Sequence, residues 1–290
     1  MHPPWLDRTL YPFAAHSLEL DGGRLHYVDE GTGEAILFVH GTPTWSFLYR
    51  HLIRELAADY RCIAPDHIGF GLSDKPPTWD YSCAAHAHNL ATLIEHLGLQ
   101  RFTLVAHDLG GPIALSYALD HPERISRLAL INTTMWPLEG PFAVPAAARL
   151  LGGPLGRVLY LRFNLSPRVL LPMVYGDRSK LTPAIHHHYL APFPRPEDRQ
   201  GLYAFARQVA GGLPWAAGLW ARRAALASIP TALVWGIRDP AFGPPYLARW
   251  RATLPDAQVL ELPTAGHLVQ EEAPAQLLGA IRRLLAAIPT

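Results

Sequence analysis

The chain has 290 residues, a hydrophobic fraction of 49% and a formal net charge of +1, a composition that suits one large α/β domain with an insertion. The balanced charge and the lack of a basic stripe argue against a nucleic-acid partner. The apolar runs are too short to span a bilayer and the start lacks the layout of a secretion signal, so we expect no membrane partner and a cytoplasmic protein. Cys62 and Cys83 are then expected as free thiols.

Strand patterns alternate with helix patterns along most of the chain. Residues 18–20 and 24–28 flank a glycine-containing turn and predict a β-hairpin. Apolar runs typical of strands in a buried parallel sheet follow at 35–39, 62–64, 102–106, 126–132, 231–236 and 258–262. Helices are expected at 46–57, 84–97, 110–119 and 273–287. The alternation predicts an α/β fold with a mostly parallel central sheet and helices on both faces.

One segment interrupts this alternation. Between residues 133 and 227 the sequence is rich in proline and has short helical patterns but no convincing strand. We predict a helical cap domain over 133–227, inserted into a core domain formed by 1–132 and 228–290. Such an insertion would lie over the carboxyl ends of the strands, where open parallel sheets bind ligands, and would close the pocket there. The alternative is a surface excursion without a catalytic part.

The stretch from Phe102 to Pro112 reads F-T-L-V-A-H-D-L-G-G-P. An apolar strand ends at Asp108, and a Gly-Gly pair opens a helix pattern. Small residues flank Asp108 at Ala106 and Gly110, as the sharp strand-to-helix turn of a nucleophile requires. A carboxylate at this place suits attack on a saturated carbon that carries a leaving group, because the resulting ester can be cleaved by water. The alternative is that Asp108 only caps the helix.

Four stretches resemble a known family. They are H-G-T-P-T-W-S-F-L-Y-R at 40–50, A-P-D-H-I-G-F-G-L-S-D-K-P at 64–76, V-A-H-D-L-G-G at 105–111 and G-H-L-V-Q-E-E at 266–272. The chain resembles the α/β-hydrolase superfamily and, within it, the haloalkane dehalogenase and epoxide hydrolase branch with an aspartate nucleophile. Its motifs are most similar to those of the dehalogenases. The resemblance implies an α/β-hydrolase fold with an inserted helical cap, and neither a metal nor an organic cofactor.

The expected order of the other catalytic residues is an acid and then a histidine. His267 follows the final strand in a short loop suited to reaching Asp108. Asp239 follows strand 231–236, where it would accept the imidazole N–H, although Asp-Pro also commonly starts a turn. Some relatives place the acid after the preceding strand, but Asn132 there is an amide and cannot be the anion. The resemblance assigns the oxyanion hole to the backbone N–H groups of Thr42 and Leu109.

The groups that would hold the leaving group depart from the family pattern. Dehalogenases of this type use a Trp directly after the nucleophile, together with an Asn of the His-Gly-x-Pro motif or a Trp of the cap. This chain has Leu109 and Thr42 at the first two places, so the donors would have to come from the cap. The candidates for contacts with the leaving group are Trp136, Tyr160, Tyr175 and Tyr189.

The expected activity is hydrolysis at an sp³ carbon through a covalent ester on Asp108, first of all the dehalogenation of a small apolar organic substrate with water. Three alternatives stay open. One is an epoxide hydrolase, in which cap tyrosines donate to the epoxide oxygen. The second is a β-lactone-opening decarboxylase of the same branch, and the third is a hydrolase-fold protein that binds a small ligand without turnover. The oligomeric state is left open.

Overall fold

The computed structural model describes residues 3–20 and 22–287. Its centre is an eight-stranded sheet with the strand order β1-β2-β4-β3-β5-β6-β7-β8. The strands are β1 (His16–Leu20), β2 (Gly23–Glu30), β3 (Ala35–Val39), β4 (Arg61–Pro65), β5 (Phe102–Asp108), β6 (Ile125–Thr133), β7 (Thr231–Gly236) and β8 (Gln258–Leu262). Only the pairings of β2 with β1 and β4 are antiparallel. The other pairings are parallel, which confirms the predicted mostly parallel sheet.

Within the described ranges, helices cover the sheet and fill the segment between β6 and β7. The α-helices are α1 (Arg50–Leu56), α2 (Cys83–His96), α3 (Gly110–Asp120), α4 (Ala146–Leu150), α5 (Pro154–Phe163), α6 (Leu171–Met173), α7 (Pro183–Leu190), α8 (Gln200–Ala210), α9 (Ala216–Ala221), α10 (Pro244–Thr253), α11 (Val269–Glu272) and α12 (Pro274–Ala286). A π-helical turn, Ser166–Leu170, joins α5 to α6. Short 3₁₀ turns occur at Ser46–Tyr49, Pro122–Arg124, Gly140–Phe142, Arg178–Lys180, Pro196–Arg199 and Arg223–Leu226.

The side chains of the central strands point alternately into two hydrophobic cores, as the period of a strand requires. In β5, Leu104 and Ala106 belong to the core shared with α2 and α3, whereas Val105 belongs to the core shared with α1 and α12. All of β5 is buried because helices lie on both sides of it. The predicted two-sided helical cover is therefore confirmed.

The segment between β6 and β7 contains α4 to α9 and, in the part of the chain that the structure describes, no strand. Its residues meet the core near the carboxyl ends of the parallel strands, where Tyr189 of α7 contacts Glu271 of α11. The division into a core and a cap domain stays a prediction, and β6 itself extends to Thr133. Cys62 and Cys83 are buried free thiols. No helix among the described residues is both long and apolar enough to cross a bilayer.

Candidate active site

Asp108 lies at the sharp turn between β5 and α3. Its φ angle is +54°, in the left-handed region that costs a residue with a side chain roughly 1–2 kcal/mol. The turn brings neighbouring backbones close together: a Cβ on Gly110 would lie 2.4 Å from the carbonyl oxygen of Val39, and one on Gly111 would lie 1.8 Å from Oγ1 of Thr133. The sequence therefore needs glycine at both positions to hold Asp108 at this turn.

The carboxylate of Asp108 is held by backbone donors on one of its oxygens. Oδ1 accepts hydrogen bonds from the N–H of Thr42, at 3.2 Å, and from the N–H of Leu109. These are the two donors that the resemblance assigned to an oxyanion hole. A Cβ on Gly41 would lie 2.2 Å from Oδ1, so only glycine lets the end of β3 approach the carboxylate this closely. The other oxygen, Oδ2, is left for a different partner.

His267 joins Asp108 to Asp239. Its Nε2 lies 3.1 Å from Oδ2 of Asp108, and its Nδ1 donates to Oδ2 of Asp239 at 2.8 Å. The three side chains are buried, with 7% or less of each residue exposed. The backbone N–H of His267 donates to the carbonyl of Val174 in the inserted segment, and Nε2 of His107 donates to the carbonyl of His267. The histidine loop is thus held from both the sheet and the insertion.

The two carboxylates determine the protonation of this histidine. Burial alone would lower the pKa of His267, but the charges of Asp239 and Asp108 and the hydrogen bonds to both raise it to about 10. Burial would raise the pKa of Asp239, yet the imidazolium and the backbone N–H groups of Ala241 and Phe242 lower it overall. The two carboxylates therefore favour the protonated form of the imidazole, whose Nε2–H is directed at Asp108.

Asn132 is a site residue whose role the sequence analysis missed. At the end of β6, its Nδ2 donates to Oδ2 of Asp239 at 2.8 Å and to the carbonyl of Gly236 at 3.1 Å, and its Oδ1 accepts the N–H of Gly236 at 2.8 Å. The amide is fully buried and donates to the same oxygen of Asp239 that accepts the Nδ1–H of His267. The signal available in the sequence was the position of Asn132 at the end of a strand next to β7. The sequence analysis considered position 132 only as a place for the catalytic acid.

A cavity of about 380 Å³ lies over Asp108 and His267. Its walls are mostly aliphatic and aromatic, and the inserted segment supplies many of them, including Leu170, Met173 and Phe205. Apart from Asp108 and His267, the polar side chains among its described lining residues are those of Thr42, Tyr160 and Ser166. A concave apolar chamber with a few polar groups suits a small apolar ligand.

The structure brings one of the four candidate leaving-group contacts to this cavity. Tyr160 lines it, whereas Trp136, Tyr175 and Tyr189 do not. The Trp136 ring lies in an aromatic cluster with Tyr246 and Trp250 at centroid distances of 5.6 and 5.3 Å. The Tyr189 hydroxyl donates to Glu271, and the Tyr175 hydroxyl is buried without a hydrogen-bond partner among the described residues. The sequence could not distinguish these packing roles because it does not show how the inserted helices fold over the sheet.

A family model described as alpha/beta hydrolase fold matches residues 34–274. The chain belongs to the α/β-hydrolase family. Haloalkane dehalogenase 2 of Mycobacterium tuberculosis is 40% identical to this hydrolase over 278 residues, covering 95% of this chain and 96% of the relative. A cis-3-alkyl-4-alkyloxetan-2-one decarboxylase of Shewanella oneidensis is 35% identical over 303 residues, covering 97% and 91% of the two chains.

Solved dehalogenase structures are similar over nearly the whole chain. The crystal structure described as a putative ancestral haloalkane dehalogenase has a TM-score of 0.81 at 28% identity, covering 94% of this chain and 100% of that one. A loop variant of haloalkane dehalogenase DbeA from Bradyrhizobium elkanii has a TM-score of 0.84 at 26% identity, covering 95% and 97%. The predicted family and fold are confirmed, and the protein is an enzyme of hydrolase type in the dehalogenase branch.

Proposed function

We propose that this hydrolase removes halogen from small haloalkanes through a covalent ester on Asp108. The observation that carries the proposal is the hydrogen-bonded chain of Asp108, His267 and Asp239 beside an apolar cavity. The full-length similarity to curated haloalkane dehalogenases supports the choice of substrate class.

In the first step Oδ2 of Asp108 attacks the halogen-bearing carbon. A new C–O bond forms while the C–halogen bond breaks, and its electron pair leaves with the halide. Oδ2 is the oxygen for this attack, because Oδ1 accepts two backbone N–H groups, whereas Oδ2 accepts the longer bond from Nε2 of His267, at 3.1 Å, which breaks as the C–O bond forms. After alkylation Oδ1 is the carbonyl oxygen of the ester, and the N–H groups of Thr42 and Leu109 still face it.

In the second step water cleaves the ester. Alkylation removes the negative charge of Asp108, so the pKa of His267 falls and the imidazolium releases its Nε2 proton to solvent, as the counterpart of the departing halide. Neutral His267 then takes a proton from water, whose oxygen bonds to Cγ of Asp108. Negative charge develops on Oδ1 between the two backbone donors. Collapse breaks the Cγ–Oδ2 bond, and the alcohol leaves with Oδ2 and the proton from His267. The carboxylic acid left on Asp108 then passes its proton to the neutral His267, which restores the resting pair.

The inserted segment has two functions in this proposal. As a cap domain over 133–227 it encloses the substrate and keeps the halide-forming step away from bulk water. It also carries hydroxyl donors, Tyr160 and Ser166, which line the cavity together with Thr42 of the core. The Oγ1 of Thr42 is buried and has no hydrogen-bond partner among the described residues. Its hydroxyl is therefore available to donate to the departing group.

A second candidate is the ring opening and decarboxylation of a dialkyl oxetan-2-one. The observation that favours it is the polar lining: the described lining residues offer hydroxyl groups and no indole, and Leu109 has no donor beside the nucleophile. Hydroxyl donors suit an oxygen leaving group, and relatives at 34–35% identity are named as oxetan-2-one decarboxylases. Epoxide opening would use the same donors, but among the described lining residues Tyr160 is the single tyrosine.

The experiment that tests the proposal traps the ester. Removal of the base in His267→Phe should let bromohexane alkylate the enzyme and release one bromide per active site, without turnover. Intact-protein and peptide mass spectrometry should find a hexyl adduct on Asp108. The matched Asp108→Asn variant should give neither bromide nor adduct. An adduct on another residue, or steady bromide release from Asp108→Asn, would show that Asp108 is not the nucleophile.

A parallel assay separates the two candidate substrates. Wild-type enzyme receives bromohexane, a dialkyl oxetan-2-one or a terminal epoxide, and bromide, carbon dioxide and diol are measured separately. Turnover of bromohexane above that of the oxetanone supports dehalogenation. The opposite order supports the decarboxylase. Saturable binding of all three without product, unchanged in Asp108→Asn, would instead identify a binding protein.

A further inference from the structure

The exposed apolar side chains of this protein are concentrated in one part of the insertion. Seven large hydrophobic residues stand out as exposed on the described surface, and six of them lie between residues 150 and 173. Their exposed fractions range from 46% to 66%, too large for side chains that merely border a core. The six are Leu150, Leu155, Val158, Phe163, Val169 and Met173.

The same stretch is basic. Residues 146–173 contain four arginines and no lysine, aspartate or glutamate. All four are exposed, and none forms an ion pair with a described residue. They are Arg149, Arg157, Arg162 and Arg168. Because the whole chain has a formal charge of only +1, this stretch is a local concentration of positive charge.

Apolar and basic side chains alternate along the surface of this stretch, which we call the basic apolar face (146–173). On α5, Leu155, Val158 and Arg162 are three and four residues apart and share one side of the helix. Val169 and Met173 are four residues apart along the next helical run. Exposed Leu, Phe and Val between arginines are typical of segments that lie in the interface of a bilayer.

The active-site cavity borders this face. Met173 is 55% exposed and also lines the cavity, so it connects the outer surface with the inner wall. Leu170 and Leu151 line the cavity directly beside the exposed residues Val169 and Leu150. An apolar surface that rims an apolar cavity offers a ligand a continuous path without exposure to water.

We propose that the basic apolar face docks on the surface of an anionic lipid bilayer, with the bordering side of the cavity directed at the acyl chains. The sequence analysis expected no membrane partner because no run of residues could span a bilayer, but interfacial binding needs only a shallow apolar face with adjacent cations. Entry of an apolar substrate from the bilayer follows as a consequence and rests on the proposed function. The docking on the bilayer does not depend on the proposed function.

The charge pattern favours lipid over a second copy of the chain. A symmetric dimer through this face would bring the same patch of both copies together. Four arginines from each side would then meet without a carboxylate in either stretch, an arrangement that repels. Anionic lipid headgroups neutralise the same arginines, while the acyl region accepts the Leu, Val and Phe side chains.

Sedimentation with vesicles of phosphatidylcholine, alone or mixed with phosphatidylglycerol, tests the docking. Wild-type protein should bind the mixed vesicles, more weakly as salt rises, and bind phosphatidylcholine far less. The double variant Arg157→Gln/Arg168→Gln should bind about 25-fold more weakly, from about fivefold for each arginine. Leu155→Ser/Phe163→Ser should lose more than about tenfold. The matched variants Arg283→Gln and Val259→Ser, exposed but outside the face, should bind as wild type does.

Three outcomes would overturn the proposal. They are no binding to mixed vesicles at low salt, equal binding by the face variants and the wild type, and a vesicle-free dimer that the face variants abolish. The third would assign the face to a second copy. Because sedimentation needs no substrate, a failed search for the Asp108 ester leaves this result unaffected, and the two proposals fail separately.

Discussion

Asp108 and His267 control each other's charge across a single hydrogen bond. The imidazolium faces Oδ2 of Asp108 at 3.1 Å in the resting enzyme, and it has the pKa of about 10 that two adjacent carboxylates impose. A protonated imidazole cannot accept a proton from water, so in the proposed mechanism His267 acts as a base only after Asp108 has lost its charge. In the proposed mechanism this pairing would set the order of the two chemical steps, because alkylation of Asp108 would remove one of the charges that raise the pKa of His267.

Asp108→Asn mimics this loss of charge without adding substrate. The variant keeps the size of the side chain but removes one of the two anions that raise the pKa of His267, so this pKa should fall clearly below about 10. Titration of the isotope-labelled imidazole by NMR measures the change. Asp74→Asn, at a half-exposed position outside the site, is the control and should leave the midpoint in place. An unchanged midpoint in Asp108→Asn would show that Asp239 alone sets the pKa of His267.

Asn132 is a positioning residue that acts through Asp239. Asn132→Ala removes three hydrogen bonds and leaves a buried carboxylate with one donor fewer, which should lower the free energy of unfolding by about 1–3 kcal/mol. Loss of the hydrogen bond to Asp239 should also shift the pH dependence of turnover, because Asp239 influences the pKa of His267. A loss of stability alone would not change this pH dependence. Asn89→Ala is the matched control, because the Nδ2 of this buried amide has no partner among the described residues. Similar losses in both variants and an unshifted profile would contradict the assigned role.

At the scale of elements, a buried ion pair of the core, Arg50 with Glu271, also binds the insertion through Tyr189. Arg50 of α1 meets Glu271 of α11 in a bidentate pair, with Nη2 2.7 Å from Oε2, and both side chains are nearly inaccessible. Tyr189 of α7 donates its hydroxyl to the same carboxylate. Glu271 is four residues after His267, so this contact lies next to the histidine loop and links it to α1 and to the inserted segment.

Removing one partner of this buried ion pair should lower the free energy of unfolding strongly. Glu271→Gln leaves Arg50 charged and buried without its counter-ion, and the free energy of unfolding should fall by about 3–5 kcal/mol. Tyr189→Phe removes only a hydroxyl donor and should cost about 1 kcal/mol. Urea denaturation of both variants measures the difference. A double variant, Arg50→Met/Glu271→Leu, should recover much of the loss, and failure to do so would mean that the pair itself, rather than the orphaned charge, carries the stability.

The elements that the sequence predicted well are those with strong local signals. The strand that ends at Asp108 is a continuous apolar run followed by glycines, and β5 and α3 begin and end close to the predicted positions. The sequence analysis predicted no helix at α10, which begins with Pro244 and Pro245, although proline is favoured in the first turn of a helix. The aromatic residues of the insertion could not be assigned, since lining a cavity and filling a core require the same residue types.

At the scale of the whole molecule, histidines cluster beside the carboxyl ends of the strands. His40 follows β3, His67 follows β4 and His107 lies in β5, all of them fully or almost fully buried. His86 of α2 lies against His67, with ring centroids 4.9 Å apart. Burial lowers the pKa of each, to about 3 for His86 and His107. These rings are neutral in the folded protein, and their mutual repulsion if charged adds to the effect of burial.

Neutral buried histidines make the fold sensitive to acid. The unfolded chain binds a proton at each histidine below about pH 6.5, whereas the folded protein keeps His86 neutral down to a pKa of about 3. The stability contributed by the neutral ring is therefore present above pH 6.5 and is lost progressively as the pH falls toward 3. By about pH 5 His86 and His107 should each lower the free energy of unfolding by about 2 kcal/mol.

His86→Phe isolates one of these contributions. Its two ring nitrogens have no hydrogen-bond partner among the described residues, and its ring already lies among Trp79, Phe70 and Phe205, so an aromatic hydrocarbon suits the site. The change in size adds a pH-independent cost, which cancels when the same pair of proteins is compared at two pH values. Relative to wild type, the variant should gain about 2 kcal/mol between about pH 7.5 and about pH 5 in urea denaturation. His88→Phe, exposed on the same helix, should show no such gain, and an equal gain in both would trace the acid sensitivity to the unfolded chain alone.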